Sequence, residues 1–144
     1  MASDPAEVLR DVLLATNQRF YAAFSRRDFS AMSDLWHPTL PVVCIHPGWP
    51  PVEGRASVVE SWRRILLNPS SPAVRCERPS LHLMHDVALV VCFEVVGHSR
   101  LVATNGFARS DDSWRMVFHQ AGPVAVSDDE DSEREREVEP SELN

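Results

Sequence analysis

The chain has 144 residues, 44% of them hydrophobic, enough for one domain with a core of its own. No apolar run approaches the ~20 residues that a membrane span needs. The net charge of −7 sits at one end: residues 127–144 hold nine acidic residues and two arginines, while residues 1–126 hold twelve of each, so the body is neutral and lacks the basic face that nucleic-acid binding requires.

The first stretch, MASDPAEVLRDVLLATNQRF, has neither a basic start nor an apolar block, so no secretory signal is expected and the cytoplasm is the expected location. Asp4-Pro5 reads as a helix start, with Ser3 or Asp4 as cap and Pro5 in the first turn. Val8, Leu9, Val12, Leu13, Phe20 and Phe24 recur at helical spacing, which predicts one amphipathic helix over 5–25. Asp28 can cap a second helix carrying Met32, Leu35 and Trp36, and Pro38 ends it. A short strand is predicted over 41–47. Gly54 precedes a third helix, 55–67, with Val58, Val59, Trp62, Ile65 and Leu66 inward. Asn68-Pro-Ser-Ser-Pro72 is a loop.

Four strands follow, over 74–84, 87–96, 100–109 and 114–126, joined by two-to-four-residue turns as a meander. Pro79 predicts a bulge or bend in the first of them. Cys44, Cys76 and Cys92 all fall in strand-like runs, and an odd count in apolar settings reads as free thiols in a reducing compartment. Helices first and strands later mean an α+β domain over 1–126 with the helices on one face of the sheet. Residues 127–144 lack apolar periodicity and are expected to form an acidic, disordered tail; no motif names its partner.

Four segments carry a resemblance to a known superfamily: NQRFYAAFSRRDFSAMSDLWHP at 17–38, HPGWPPVEGRASVVESWRRIL at 46–66, CFEVVG at 92–97 and DSWRMVFHQAGPV at 112–124. With the element order, they make residues 5–126 resemble the nuclear transport factor 2-like superfamily, also called SnoaL-like or ketosteroid isomerase-like. The resemblance implies a cone: a strongly curved, mainly antiparallel sheet with three N-terminal helices packed on the concave face. It also implies an apolar pocket inside the cone and a homodimer through the outer sheet face. The nearly continuous apolar strand Leu89–Phe93 fits a sheet covered on both faces. The superfamily holds enzymes, binding domains and assembly modules, so the fold alone names no reaction.

The candidate site residues follow from the same resemblance. Ketosteroid isomerase-like enzymes place their general base at the end of the first strand, where this chain has Ile45-His46-Pro47. Cys44, two residues earlier, faces the same side. In an apolar cone His46 is suited to move a proton; the structural alternative is a ring that caps the strand end and bonds the Gly48-Trp49 turn. Asn105, in the segment TNGF, matches the place where the isomerases put an oxyanion-hole acid, and its amide can donate to an oxyanion. The alternative there is a hydrogen-bonded amide beside Gly106 at a strand irregularity. The isomerases' essential tyrosine falls on Phe20, which has no hydroxyl, while Tyr21 lies one helical step, about 100°, around. Isomerisation of Δ5-3-ketosteroids is therefore not expected.

On the last strand Trp114, Met116, Phe118 and Gln120 share one face, and Arg115, Val117 and His119 the other. The aromatic face is expected to line the pocket, putting Gln120 inside and His119 toward the dimer side. Phe20, Trp36, Cys44, Trp49, Trp62, Met116 and Phe118 complete the expected ligand-binding set. Glu94 is either a pocket carboxylate or an edge residue paired with an arginine such as Arg100. Neither a metal nor a cofactor is expected, because zinc-ligand spacings are absent and strand geometry splits His82 from His85. Two functions fit: a SnoaL-like pocket domain that binds a small apolar or amphipathic molecule or serves as a dimeric assembly module, or a cofactor-independent acid–base enzyme of isomerase, dehydratase or cyclase type with His46 as general base.

Overall fold

The computed structural model describes residues 4–125; the acidic tail expected over 127–144 lies outside the described residues. Helix α1 spans Pro5–Arg26, where Asp4 accepts from the Ala6 N–H and Pro5 opens the helix without losing a hydrogen bond. It ends as Arg27 turns left-handed (φ 57°) and the Arg27 and Asp28 N–H groups reach back to the Phe24 and Ala23 carbonyls. The exposed Arg27 guanidinium donates to the carbonyls of Asn68, Pro69 and Ser71 and ties this end to the loop over 68–71. Helix α2, Phe29–Leu35, is capped by Asp28, which accepts from the Ala31 N–H at 3.0 Å. Helix α3, Arg55–Leu67, starts after Gly54, whose φ of 87° turns the chain without a side-chain cap.

Six strands form one sheet. They are β1 (Val43–Ile45), β2 (Val52–Glu53), β3 (Arg75–Met84), β4 (Val87–Val96), β5 (Ser99–Ser110) and β6 (Ser113–Pro123), in the order β2-β1-β6-β5-β4-β3. Strands β3 to β6 are the expected antiparallel meander, and β1 joins β6 in parallel, so the sheet is mixed, curved and unclosed. Helix α1 lies across β3, β4 and β6, α3 against β1 and β2, and α2 between the other two helices. The fold is the expected α+β arrangement with three helices on the concave face. Among the described residues no helix is long and apolar enough to cross a membrane.

Two bulges shape the sheet. One falls between Glu77 and Ser80, where Pro79 cannot donate to the ladder. The other decides which side chains enter the cone. Gly106 pairs with Phe118 but Phe107 pairs with Met116, so Val117 is an extra residue on β6. The alternation resets there. Trp114 and Met116 face inward as expected, but beyond Val117 the inward residues are His119 and Ala121. Phe118 and Gln120 are thereby carried to the outer face, Phe118 half-buried and Gln120 exposed. The placement expected from simple alternation, Gln120 inside and His119 outside, is reversed.

Candidate functional site

His46 follows the last residue of β1 and turns inward, only 3% exposed. Its ring stands between the indoles of Trp49 and Trp62, with centroids 4.8 Å from each. Its Nε2 lies 2.9 Å from Ser61 Oγ, and that hydroxyl donates to the Val58 carbonyl at 2.7 Å. The hydroxyl has one proton, so both contacts are satisfied together when Nε2–H donates to Oγ. Nδ1 then carries no proton, and the Cys44 Sγ lies 3.9 Å from it. Burial pushes the imidazole down to about 4, so it is neutral at neutral pH.

His119 enters from β6, behind the bulge, and is 1% exposed. Its Nδ1 is 2.6 Å from Asn105 Oδ1. The Asn105 amide is oriented by donation from Nδ2 to Asn17 Oδ1 at 2.9 Å and to Tyr21 Oη at 3.0 Å. Its Oδ1 can only accept, so His119 Nδ1 carries the proton and Nε2 is bare. Burial, with a smaller contribution from nearby His46, holds this ring down to about 3.

Glu94 completes the group. It lies on β4 in phase with the inward Ala88, Val90 and Cys92, and is 2% exposed. Tyr21 Oη donates to its Oε2 at 2.8 Å, and His119 Nε2 is 3.9 Å from that same oxygen. Burial raises the carboxyl, and the Tyr21 hydrogen bond opposes part of the rise. Of the two positions expected for Glu94, the interior one is observed, and the Arg100 guanidinium lies 3.9 Å over the Phe93 ring. Tyr21 itself is buried, and its hydroxyl also meets Cys92 Sγ at 3.1 Å; burial pushes this phenol far up.

His46, Glu94 and His119 line one cavity of about 220 Å³. Its other walls are apolar, among them Phe24, Trp62, Ile65, Val96 and Leu101, and among the described residues no arginine lines it. Trp49, 42% exposed, forms its rim. A groove of about 340 Å³ between α1, α2 and the Ser113 end of β6 is larger, but its charged lining residues, among them Arg19, Arg26 and Asp28, are solvated surface groups. Chemistry needs converging, desolvated groups, so the smaller cavity is the candidate site. Among the described residues no group of three or more His, Cys, Asp or Glu is arranged to hold a metal ion.

A curved sheet with three helices and inward polar groups at the ends of β1, β4 and β6 is matched at the sequence level by the family profile of the SnoaL-like domain, over residues 13–126. The chain belongs to the SnoaL-like family. A crystal structure from Streptomyces avermitilis, whose name proposes a dehydratase of the nuclear transport factor 2-like family, is 30% identical with a TM-score of 0.77. That match covers 84% of this chain and 99% of the other. A structure from Thiobacillus denitrificans, whose name proposes an association domain of calcium/calmodulin-dependent protein kinase type II, is 29% identical with a TM-score of 0.69, covering 77% and 94%. A nuclear transport factor 2-like protein of Pseudomonas putida shares the fold at 13% identity, with a TM-score of 0.71 over 86% and 92%. No curated protein is significantly similar to the chain.

Within this SnoaL-like domain the residues expected at the site fall into three groups. His46, Trp49 and Trp62 line the cavity. Phe20, Cys44 and Asn105 form the layer behind it: Phe20 packs at 5.3 Å on Trp62 and 4.9 Å on His119, Cys44 Sγ is 3.6 Å from His46 Nε2, and Asn105 orients His119. Burial pushes the Cys44 thiol up, which keeps it protonated and inert. The third group lies away from the cavity. Trp36 and Met116, which bridge each other, belong to the core near α2, and Phe118 and Gln120 lie on the outer face. Sequence reasoning missed Asn17, Ser61 and the inward Tyr21. The signal existed: Leu13, Thr16, Asn17, Phe20 and Tyr21 follow the i, i+3, i+4, i+7, i+8 spacing of one buried stripe.

Proposed function

We propose that the cavity binds a small, neutral, mainly apolar molecule bearing hydroxyl and carbonyl oxygens, and moves protons on it without a cofactor. The observation that carries this reading is that three titratable side chains converge on one apolar cavity, where burial favours the uncharged form of each. The volume of about 220 Å³ lies below the ~300–1,000 Å³ of drug-sized sites, so the molecule is small. Among the described residues no arginine lines the wall, so it offers nothing to a carboxylate or phosphate. Two bare imidazole nitrogens accept hydrogen bonds from ligand hydroxyls, and a protonated Glu94 can donate one to a carbonyl or hydroxyl oxygen. Bases and an acid side by side suit elimination of water, and the Streptomyces avermitilis protein, similar over most of this chain, bears a name that proposes a dehydratase. His46, at the strand position where related enzymes keep a base, contributes Nδ1.

The test is a panel of small hydroxy ketones and cyclic ketones added to the protein, read by Trp49 fluorescence and the histidine ring resonances. Saturable binding that moves His46 and His119 but not exposed His82, His85 or His98 is the expected outcome. A panel that moves none of the rings contradicts the reading.

Self-association is a compatible second property. We infer a homodimer through the outer sheet face, where Leu89, Val91, Phe93, Val102 and Phe118 form a half-buried apolar field in register across β4, β5 and β6. The name of the Thiobacillus denitrificans relative, which proposes an association domain, supports the same idea. Phe93→Glu should turn a dimer into a monomer by sedimentation; a wild-type monomer at micromolar concentration contradicts it.

A further inference from the structure

Resting on the pocket reading above, we propose that Glu94 and His119 are the proton-exchanging pair of the site, Glu94 as acid and His119 Nε2 as base, acting on neighbouring carbons of a small neutral β-hydroxy carbonyl compound. His46 holds the substrate by accepting a hydrogen bond. Both groups line the same cavity, and His119 Nε2 is 3.9 Å from Glu94 Oε2. That gap is too long for a direct hydrogen bond and leaves the two groups side by side on one wall. A proton on one carbon and an oxygen on the next can meet both at once when they lie on the same side of the molecule.

The surroundings fix the tautomer of His119 and bias Glu94 toward its acid form. Asn105 Oδ1 accepts the hydrogen bond from His119 Nδ1–H, which leaves Nε2 without a proton. Asn105 is itself held from two sides by Asn17 and Tyr21. Tyr21 spends its hydroxyl proton on Glu94 Oε2. Among the described residues no cationic side chain lines this wall to hold a carboxylate. The groups around the pair are Tyr21 and Asn17 from α1, Cys44 from β1, Cys76 from β3, Cys92 from β4, Asn105 from β5 and His46 beyond the end of β1. Burial favours the uncharged form of Glu94 and of both imidazoles. The resting base is therefore in place at His119, and burial favours the acid form of Glu94 beside it. Asn105 and Tyr21 are positioning residues, since they touch the pair and not the cavity.

The step balances without a co-reactant. His119 Nε2 takes the proton from the carbon next to the carbonyl, and the pair of electrons released forms the carbon–carbon π bond. The bond from the neighbouring carbon to the hydroxyl oxygen breaks, and that oxygen takes the Glu94 proton and leaves as water. The site is left with a Glu94 carboxylate beside a His119 imidazolium, which attract one another. The product water lies between them and returns the proton from Nε2 to the carboxylate.

The test uses small β-hydroxy ketones with wild type, Glu94→Gln, His119→Gln and His46→Ala, each variant first shown to be folded by its thermal melt. Enone formation is read by ultraviolet absorbance, and exchange of the α-hydrogen is read by deuterium uptake from heavy water. Wild type should do both. Glu94→Gln should keep exchange but lose enone formation by at least ~100-fold, the low end for removing a general acid. His119→Gln should lose both, and His46→Ala should raise KM with little change in kcat. Glu94→Gln eliminating at the wild-type rate, or His46→Ala losing exchange while His119→Gln keeps it, overturns the pair. If no compound binds wild type, the pocket reading fails and the pair is judged separately on the free protein. Carbon-13 titration should then show the Glu94 carboxyl protonated at neutral pH and His119 Nε2 shifting as Glu94 ionises. An ionised Glu94 beside a protonated His119 at pH 7 overturns it.

Discussion

Replacing His46 by glutamine should change how stability depends on pH, and by a calculable amount. In the folded protein His46 takes no proton until about pH 4, whereas the unfolded chain binds one near 6.5. Its folded pKa is depressed below the unfolded value. Between those two values the unfolded state therefore binds more protons, and stability falls as pH falls through that window. Integrated from pH 7 to pH 5, the loss from this one ring is about 2 kcal/mol, a sizeable share of the ~5–15 kcal/mol that holds a domain folded. His119, held down to about 3, contributes a loss of the same sign. Glu94 works the other way: its raised pKa makes the folded state take up a proton first, so falling pH recovers stability. Comparing wild type with His46→Gln removes these shared contributions, since glutamine keeps an N–H for Ser61 Oγ and cannot titrate. Urea unfolding at pH 7, 6 and 5 should show wild type losing about 2 kcal/mol more than the variant over that range. Two stability curves that stay parallel to within about 0.5 kcal/mol would refute the burial argument.

Three further perturbations probe other parts of the account. Tyr21→Phe leaves Glu94 Oε2 and Asn105 Nδ2 each short of a partner, so it should lower stability by about 1–3 kcal/mol and push the Glu94 carboxyl further up, read by urea unfolding and carbon-13 titration. His37→Ala removes a buried ring that bonds the Arg109 carbonyl at 2.8 Å and accepts from the Thr39 and Leu40 N–H groups at 3.2 and 3.1 Å; a loss of about 2–3 kcal/mol with ligand binding intact is expected. Asp28→Ala should lower stability by about 1 kcal/mol through the lost cap of α2, with the histidine resonances of the cavity unmoved.

The helices were legible because their ends carry local chemistry. Asp4-Pro5, Asp28 and Gly54 act through neighbouring backbone groups, and the predicted spans 5–25 and 55–67 lie within one residue of those observed. Pro79 likewise announced its bulge. The inner face of β4 could be read from alternation alone, since Ala88, Val90, Cys92 and Glu94 keep a strict period of two. The last strand defeated the same rule. Its bulge at Val117 is a property of the β5–β6 pair, and one extra residue reverses every side chain beyond it. The available clue was Gly106, opposite Phe118: a Cβ there would stand 3.0 Å from the Phe118 Cβ, so the two strands approach too closely for a side chain. The polar network behind His119 was illegible for a different reason. Asn17, Tyr21, Asn105 and Glu94 come from three elements far apart in sequence, and only the packing of α1 on the concave sheet brings them together.

The most direct measurement is the tautomer and charge of the two buried imidazoles, read from long-range nitrogen-15 spectra and assigned with His46→Gln and His119→Gln. The account predicts two neutral rings at pH 7, His46 protonated on Nε2 and His119 on Nδ1, each with a bare nitrogen that shifts when a small hydroxy ketone binds. An imidazolium at either position at pH 7, or the opposite tautomer at His119, would contradict the claim that this cavity presents bases ready to take a proton.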